Sequence, residues 1–131
     1  MATGRFATAI NCMDGRTQIP INDWIKKKFV VDYVDTITEP GPNGVLAKGE
    51  EPLVSTIKDR VLISVNGHGS RVIALVGHND CAGNPGPKEM QVEHVLKGLE
   101  VLRSWDLPVR LIGLWVGEDW KVEVIFDSYG G

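Results

Sequence analysis

The chain has little of most things that would identify a protein at a glance. Only two of its 131 residues are cysteine, so a disulfide-stapled secreted scaffold is excluded, and the fold has to rest on a buried core. Charge of one sign is lacking too: 14 Lys and Arg stand against 17 Asp and Glu. A net charge of −3 gives no electrostatic drive toward nucleic acid or an anionic membrane. No apolar run approaches the roughly 18 residues of a membrane span. The first fifteen residues lack the apolar stretch and small-residue cleavage site of a signal peptide, so a cytoplasmic protein with reduced thiols is expected. The basic run Lys26-Lys27-Lys28 reads as a helix end favoured by the helix dipole rather than as a nucleic-acid patch.

What is present is an alternation of strand and helix patterns over one domain, residues 1–131. Phe6 to Cys12 reads as a short buried strand ending in the turn Asp14-Gly15-Arg16. A short helix follows, with Pro20 near its first turn and Ile21, Trp24, Ile25 and Lys28 on one face. Val30 to Thr38 reads as a second strand, and Glu39 to Glu51 as a Gly/Pro-rich loop. Pro52 opens a helix with Leu53, Val54, Ile57, Val61, Leu62 and Val65 inward, stopped by Gly67-His68-Gly69.

Arg71 to Gly77 has the continuous apolar character of a central parallel strand. Lys88 to Trp105 reads as a helix with Val92, Val95, Leu96, Leu99 and Leu102 inward, and Val109 to Val116 as a further strand. In Trp120 to Asp127 the residues Val122, Val124 and Phe126 alternate with Lys121, Glu123 and Ile125, as in an antiparallel edge strand. The sum is an α/β fold of three layers. Its mainly parallel sheet has about five strands in the order 2-1-3-4-5, with the last antiparallel and helices on both faces.

Both cysteines lie at strand ends, in Cys12-Met13-Asp14-Gly15-Arg16 and His78-Asn79-Asp80-Cys81. Two thiolates and an imidazole form a three-ligand set for a catalytic zinc, with the fourth position left for water. Cys12, His78 and Cys81 are therefore candidate ligands of Zn2+; the bland alternative is a pair of buried thiols with an unrelated imidazole, or a disulfide. Asp14 can accept a hydrogen bond from a metal-bound nucleophile or take the fourth position itself. Arg16 can clamp Asp14 and keep it ionised. The alternative for these two is a salt bridge bracing a turn. Asp80 is a candidate for orienting His78. His68 and His94 read as surface or structural residues, and Trp24, Trp105, Trp115 and Trp120 as core or interface residues.

Cys-x-Asp-x-Arg followed, after a buried strand, by His-x-x-Cys resembles the β-class carbonic anhydrases, and the resemblance spans about Phe6 to Phe126 in element order as well as motif. It implies zinc held by Cys12, His78 and Cys81, and catalysis by Asp14 and Arg16. The implied reaction is reversible hydration of carbon dioxide by metal-bound hydroxide, in a homodimer or larger homo-oligomer. Partners are then a small-molecule substrate and a second copy, with no nucleic acid and no membrane. Alternatives on the same fold are hydrolysis of carbonyl sulfide or carbon disulfide, and a non-catalytic zinc module.

The chain departs from the pattern at several points. Gly15 stands where the family usually has Ser, Ala82 precedes Gly83 after Cys81, and the loop Asn84-Pro85-Gly86-Pro87 is long. Glu39-Pro40-Gly41-Pro42-Asn43-Gly44 matches the family's Arg-, Ala-, Gly- and Asn-bearing segment loosely. Only eleven residues precede Cys12, so the N-terminal helices that embrace a partner in many members are expected to be missing, as is an upstream glutamine.

Overall fold

The structure, a computed structural model, describes residues 3–130. Its five strands are β1 (Phe6–Cys12), β2 (Tyr33–Glu39), β3 (Val72–His78), β4 (Arg110–Val116) and β5 (Val122–Asp127). They form one sheet in the order β2-β1-β3-β4-β5. The β1–β2, β1–β3 and β3–β4 pairs are parallel, and β5 runs antiparallel to β4. This is the α/β topology expected from the alternation of patterns.

Side-chain alternation splits the core into two layers, one on each face of the sheet. On one face Ala7, Ala9, Ala74, Val76, Ile112 and Leu114 pack against Ile21 and Ile25 of α1 (Gly15–Phe29). On the other, Ile10, Ile73 and Leu75 meet α2 (Pro42–Lys48), α3 (Leu53–Leu62) and α4 (Lys88–Ser104). Glycine lets α4 come close: a Cβ on Gly98 would lie 2.5 Å from Leu75 Cδ2, and one on Gly113 3.0 Å from Leu99 Cδ1.

Several elements differ from the pattern reading. Glu39–Glu51 is not all loop, because Pro42–Lys48 forms α2 with Val45 and Leu46 buried. Pro42 supplies the preset φ of a first helical turn, and Gly41 and Gly49 bracket the helix at positive φ. The Gly/Pro content that suggested a loop marks the two ends of a helix. Pro20 lies inside α1, not near its first turn. The helix begins at Gly15 because Asp14 caps it, accepting from Arg16 N–H at 2.9 Å.

Gln91 is buried where the helical pattern favoured Leu96, which is 42% exposed. After α3 the chain makes a π-helical turn, Ile63–Gly67. In β5, Gly113 pairs with Phe126 and Leu114 with Val124, so Ile125 is the extra residue of a bulge. The bulge breaks the strict alternation. Ile125 and Phe126 both lie against the α4-side core, while Val124 is exposed.

The strand ends place the site. Cys12 closes β1 and His78 closes β3, its neighbour. The chain leaves β1 for one face through α1, and β3 for the other through α4. A crevice opens beyond the carboxyl ends of two strands whose connections diverge in this way.

Candidate metal centre

Cys12, His78 and Cys81 meet in that crevice. Their donor atoms lie within 4.8 Å of one another, and the residues are 3%, 1% and 4% exposed. The two Sγ atoms are 3.9 Å apart. Two sulfurs at about 2.3 Å from a tetrahedral ion are separated by about 3.8 Å, so the spacing is that of one edge of a zinc tetrahedron. The thiols are free, which disposes of the disulfide alternative.

His78 Nδ1–H donates to the Asn79 carbonyl at 2.7 Å, which leaves Nε2 with the lone pair. That Nε2 is buried and has no hydrogen-bond partner among the described residues. A buried polar atom without a partner is costly, and a metal ion would satisfy it. The donor set therefore fits a zinc ion.

The thiols share hydrogen-bonding unequally. Cys81 donates to Cys12, and that bond outweighs burial to hold Cys12 well below the usual thiol range. Smaller contributions come from His78 and from the backbone N–H groups of Gly41 and Asp14. The Gly41 N–H lies 3.5 Å from Cys12 Sγ. The bond to Cys12, joined by burial, raises Cys81. His78 is raised on balance: burial lowers it, and the Cys12 thiolate and the Asn79 carbonyl more than offset that.

Asp14 and Arg16 stand beside this cluster as a bidentate pair. Arg16 Nε donates to Asp14 Oδ1 at 3.0 Å, and Nη2 to Asp14 Oδ2 at 2.7 Å. Arg16 thereby holds the Asp14 carboxyl down at about 2. The same carboxylate caps α1, whose positive end adds to its ionisation. Thr17 Oγ1 and Gln18 Nε2 bond the Asp14 carbonyl at 2.8 and 3.0 Å, fixing the turn. Gly15 faces open space, so no close contact demands glycine there. A cavity of about 210 Å³ opens between Cys12, Met13, Asp14, Pro40, Ala82 and Gly83.

Asp80 does not contact His78 as the sequence suggested. Its carboxylate and carbonyl both accept from Arg16, at 3.2 and 3.1 Å. His94 receives a hydrogen bond from the Asn84 side chain at 3.0 Å. His68 lies near the amino end of β1, its Nδ1 2.7 Å from Asp35 and its ring stacked on Phe6, roughly 20 Å of strand from Cys12. Trp24 and Trp105 pack against the two core layers and Trp115 is buried.

Pattern reasoning missed three contributors: Gly41, whose N–H reaches a thiol; Asn84, which packs against Gly41 and Gly44; and Trp120, whose ring covers Arg16 at 4.5 Å. The glycines of 41–44 were a usable sign of close approach. Nothing local pointed to Trp120.

Known proteins agree with this architecture. One of two tetrameric β-carbonic anhydrases solved from the filamentous ascomycete Sordaria macrospora superposes with a TM-score of 0.60. The match covers 95% of this chain and 82% of that one at 11% identity, a likeness of fold. No curated protein matches the sequence. A family model described as "Putative carbonic anhydrase" matches residues 2–126, a stretch that holds both strand-end motifs and the whole sheet but for its last residue. On that match the chain belongs to the putative carbonic anhydrase family.

Proposed function

We propose that this protein is a zinc-dependent carbonic anhydrase that interconverts carbon dioxide and bicarbonate, with Cys12, His78 and Cys81 as the metal ligands. The observation that carries the reading is the buried three-donor cluster with an ionised Asp14–Arg16 pair at its side. A zinc ion in this set would act as a Lewis acid that makes water nucleophilic near neutral pH. The chain's own groups do the rest.

His78 offers Nε2 because Asn79 holds the proton on Nδ1. The Gly41 N–H stabilises the Cys12 thiolate. Asp14, kept ionised by Arg16, accepts a hydrogen bond from the attacking water and orients its lone pair toward the cavity. Arg16 also keeps Asp14 from swinging into the fourth ligand position. The cavity beside Met13, Pro40 and Ala82 holds the linear substrate. Carbon dioxide and water yield bicarbonate, and the proton passes to buffer.

One assay series tests this. The purified protein should carry one zinc per chain and hydrate carbon dioxide in a stopped-flow indicator assay. Cys12→Ser and His78→Ala should lose metal and activity together. Asp14→Asn should keep the metal and lose at least about 100-fold in turnover, the usual contribution of a positioned proton acceptor. Full activity in Asp14→Asn overturns the role of the pair, and purified protein without stoichiometric zinc overturns the metal assignment. Carbonyl sulfide and carbon disulfide belong in the same series; turnover of these alone would move the substrate while keeping the site. Zinc without any turnover would mean a non-catalytic module. We further propose a single-domain cytoplasmic homo-oligomer, in line with the tetrameric relative.

A further inference from the structure

The Arg16 guanidinium has five N–H donors, and four hydrogen bonds leave it: two to the Asp14 carboxylate, one to the Asp80 carboxylate and one to the Asp80 carbonyl. Its flat face is covered by the Trp120 ring, with Cζ 4.5 Å from the centroid. Three separate stretches of chain thus converge on one side chain: the start of α1, the loop between His78 and Cys81, and the turn between β4 and β5.

The backbone at two of these contacts is unusual. Four non-glycine residues have positive φ among the described residues: Val30, Asp80, Asp106 and Trp120. Two of the four, Asp80 at 57° and Trp120 at 58°, are the residues that hold Arg16. A bulky residue in the left-handed region is strained, and such residues cluster where geometry serves function. At Trp120 the turn, closed by its N–H on the Gly117 carbonyl at 3.0 Å, aims the indole inward over Arg16. The same ring lies 6.3 Å from the His78 ring, so it borders both the arginine and a candidate ligand.

We propose that Trp120 and Asp80 are positioning residues that fix the Arg16 guanidinium, and through it the Asp14 carboxylate, beside the metal cluster. This rests on the carbonic anhydrase reading above. Asp14 alone would leave Arg16 free to swing about the one carboxylate. Asp80 grips its opposite edge and Trp120 prevents it from leaving the plane. Asp80 is 75% exposed, so its carboxylate contributes modestly, whereas the indole face excludes water from one side of the guanidinium and carries more.

The test compares zinc-loaded Trp120→Leu, Trp120→Phe and Asp80→Gly with the parent. Glycine accepts the backbone of residue 80 and keeps its carbonyl bond to Arg16, so Asp80→Gly should match or exceed the parent's thermal midpoint. It should nonetheless lower kcat by roughly 2- to 5-fold. Trp120→Leu should lower kcat by about 10-fold at unchanged KM and zinc content, and Trp120→Phe should recover most of that loss.

A second readout needs no turnover: hydrogen exchange of the Arg16 Nε–H, followed by NMR. It should be protected in the parent and exchange several-fold faster in Trp120→Leu. Equal exchange in the two proteins overturns the inference whatever the activity. A kcat loss that merely follows zinc loss overturns it as well. A parent that protects Arg16 but does not hydrate carbon dioxide would instead overturn the functional reading and leave the positioning in place.

Discussion

Gly41→Ala is the most searching single perturbation of the crevice, because two independent penalties meet there. Gly41 has φ +56°, a region that charges an alanine roughly 1 to 2 kcal/mol. A Cβ at this position would lie 2.5 Å from Asn84 Cβ and 3.0 Å from Asn84 N, which forces the 83–84 backbone to move. Overpacking of this kind costs about 1 to 3 kcal/mol. The loop cannot retreat freely, since a Cβ on the adjoining Gly83 would itself lie 2.5 Å from Pro40 Cβ. The two segments interlock.

The total is about 2 to 5 kcal/mol, which in a chain of this length corresponds to a fall of roughly 6 to 20 °C in thermal midpoint. Gly49→Ala is the control. Gly49 has φ +66° and nothing within 4 Å of its would-be Cβ, so it bears the backbone penalty alone, about 3 to 8 °C. Differential scanning calorimetry measures both. Zinc affinity by chelator competition separates them further. Gly41→Ala displaces the N–H that faces Cys12 and the chain beside Cys81, and should weaken zinc at least about tenfold, or 1.4 kcal/mol. Gly49→Ala should leave it unchanged. Equal midpoints in the two variants, or parental zinc affinity in Gly41→Ala, would refute the interlocking argument.

Two further predictions concern stability. Arg110 holds the Asp127 carboxyl at about 2, below its ordinary 3.8, through a bidentate pair. A depressed carboxyl stabilises the fold above its unfolded value and loses that contribution as pH falls, here between about pH 4 and 2. Asp127→Asn should therefore flatten the acid limb of the stability curve in urea titrations, and should lower stability at neutral pH by about 1 kcal/mol after solvent screening. Gln91 is buried and joins Asn43 on α2 to the Asn84 carbonyl in the loop after Cys81. Gln91→Leu should cost about 2 kcal/mol by taking the side-chain donor from the Asn84 carbonyl, whereas Leu96→Gln, at an exposed helical position, should stay within about 0.5 kcal/mol in chemical denaturation.

Legibility in the sequence followed the range of the interaction that decides each feature. The apolar runs at Phe6–Cys12 and Val72–His78 were legible as strands because burial on both sheet faces leaves a short, nearly continuous apolar stretch in the sequence. Asp14-Gly15-Arg16 carries turn chemistry, yet Asp14 there caps a helix that already includes Gly15 and Arg16. Local patterning failed where a contact from elsewhere decides the outcome. Pro42–Lys48 is a helix because Val45 and Leu46 find a core under them. Gln91 is buried because Asn43 and Asn84 satisfy its amide. Ile125 turns toward α4 because the bulge opposite Gly113 and Leu114 shifts the alternation.

By itself the sequence determined the succession of the five strands and of three of the four α-helices, the sheet order, and the placing of two cysteines, a histidine and an Asp-x-Arg pair at strand ends. Hydrophobic period and turn chemistry are local quantities, and the topology of parallel crossovers leaves few alternatives. Only the tertiary structure decided that the three donors lie within one coordination sphere's reach, that His78 Nε2 is left bare, and that Arg16 is shared between Asp14 and Asp80 beneath Trp120. Those facts depend on distances of a few ångströms between side chains far apart along the chain, and such distances exist only once the layers have packed.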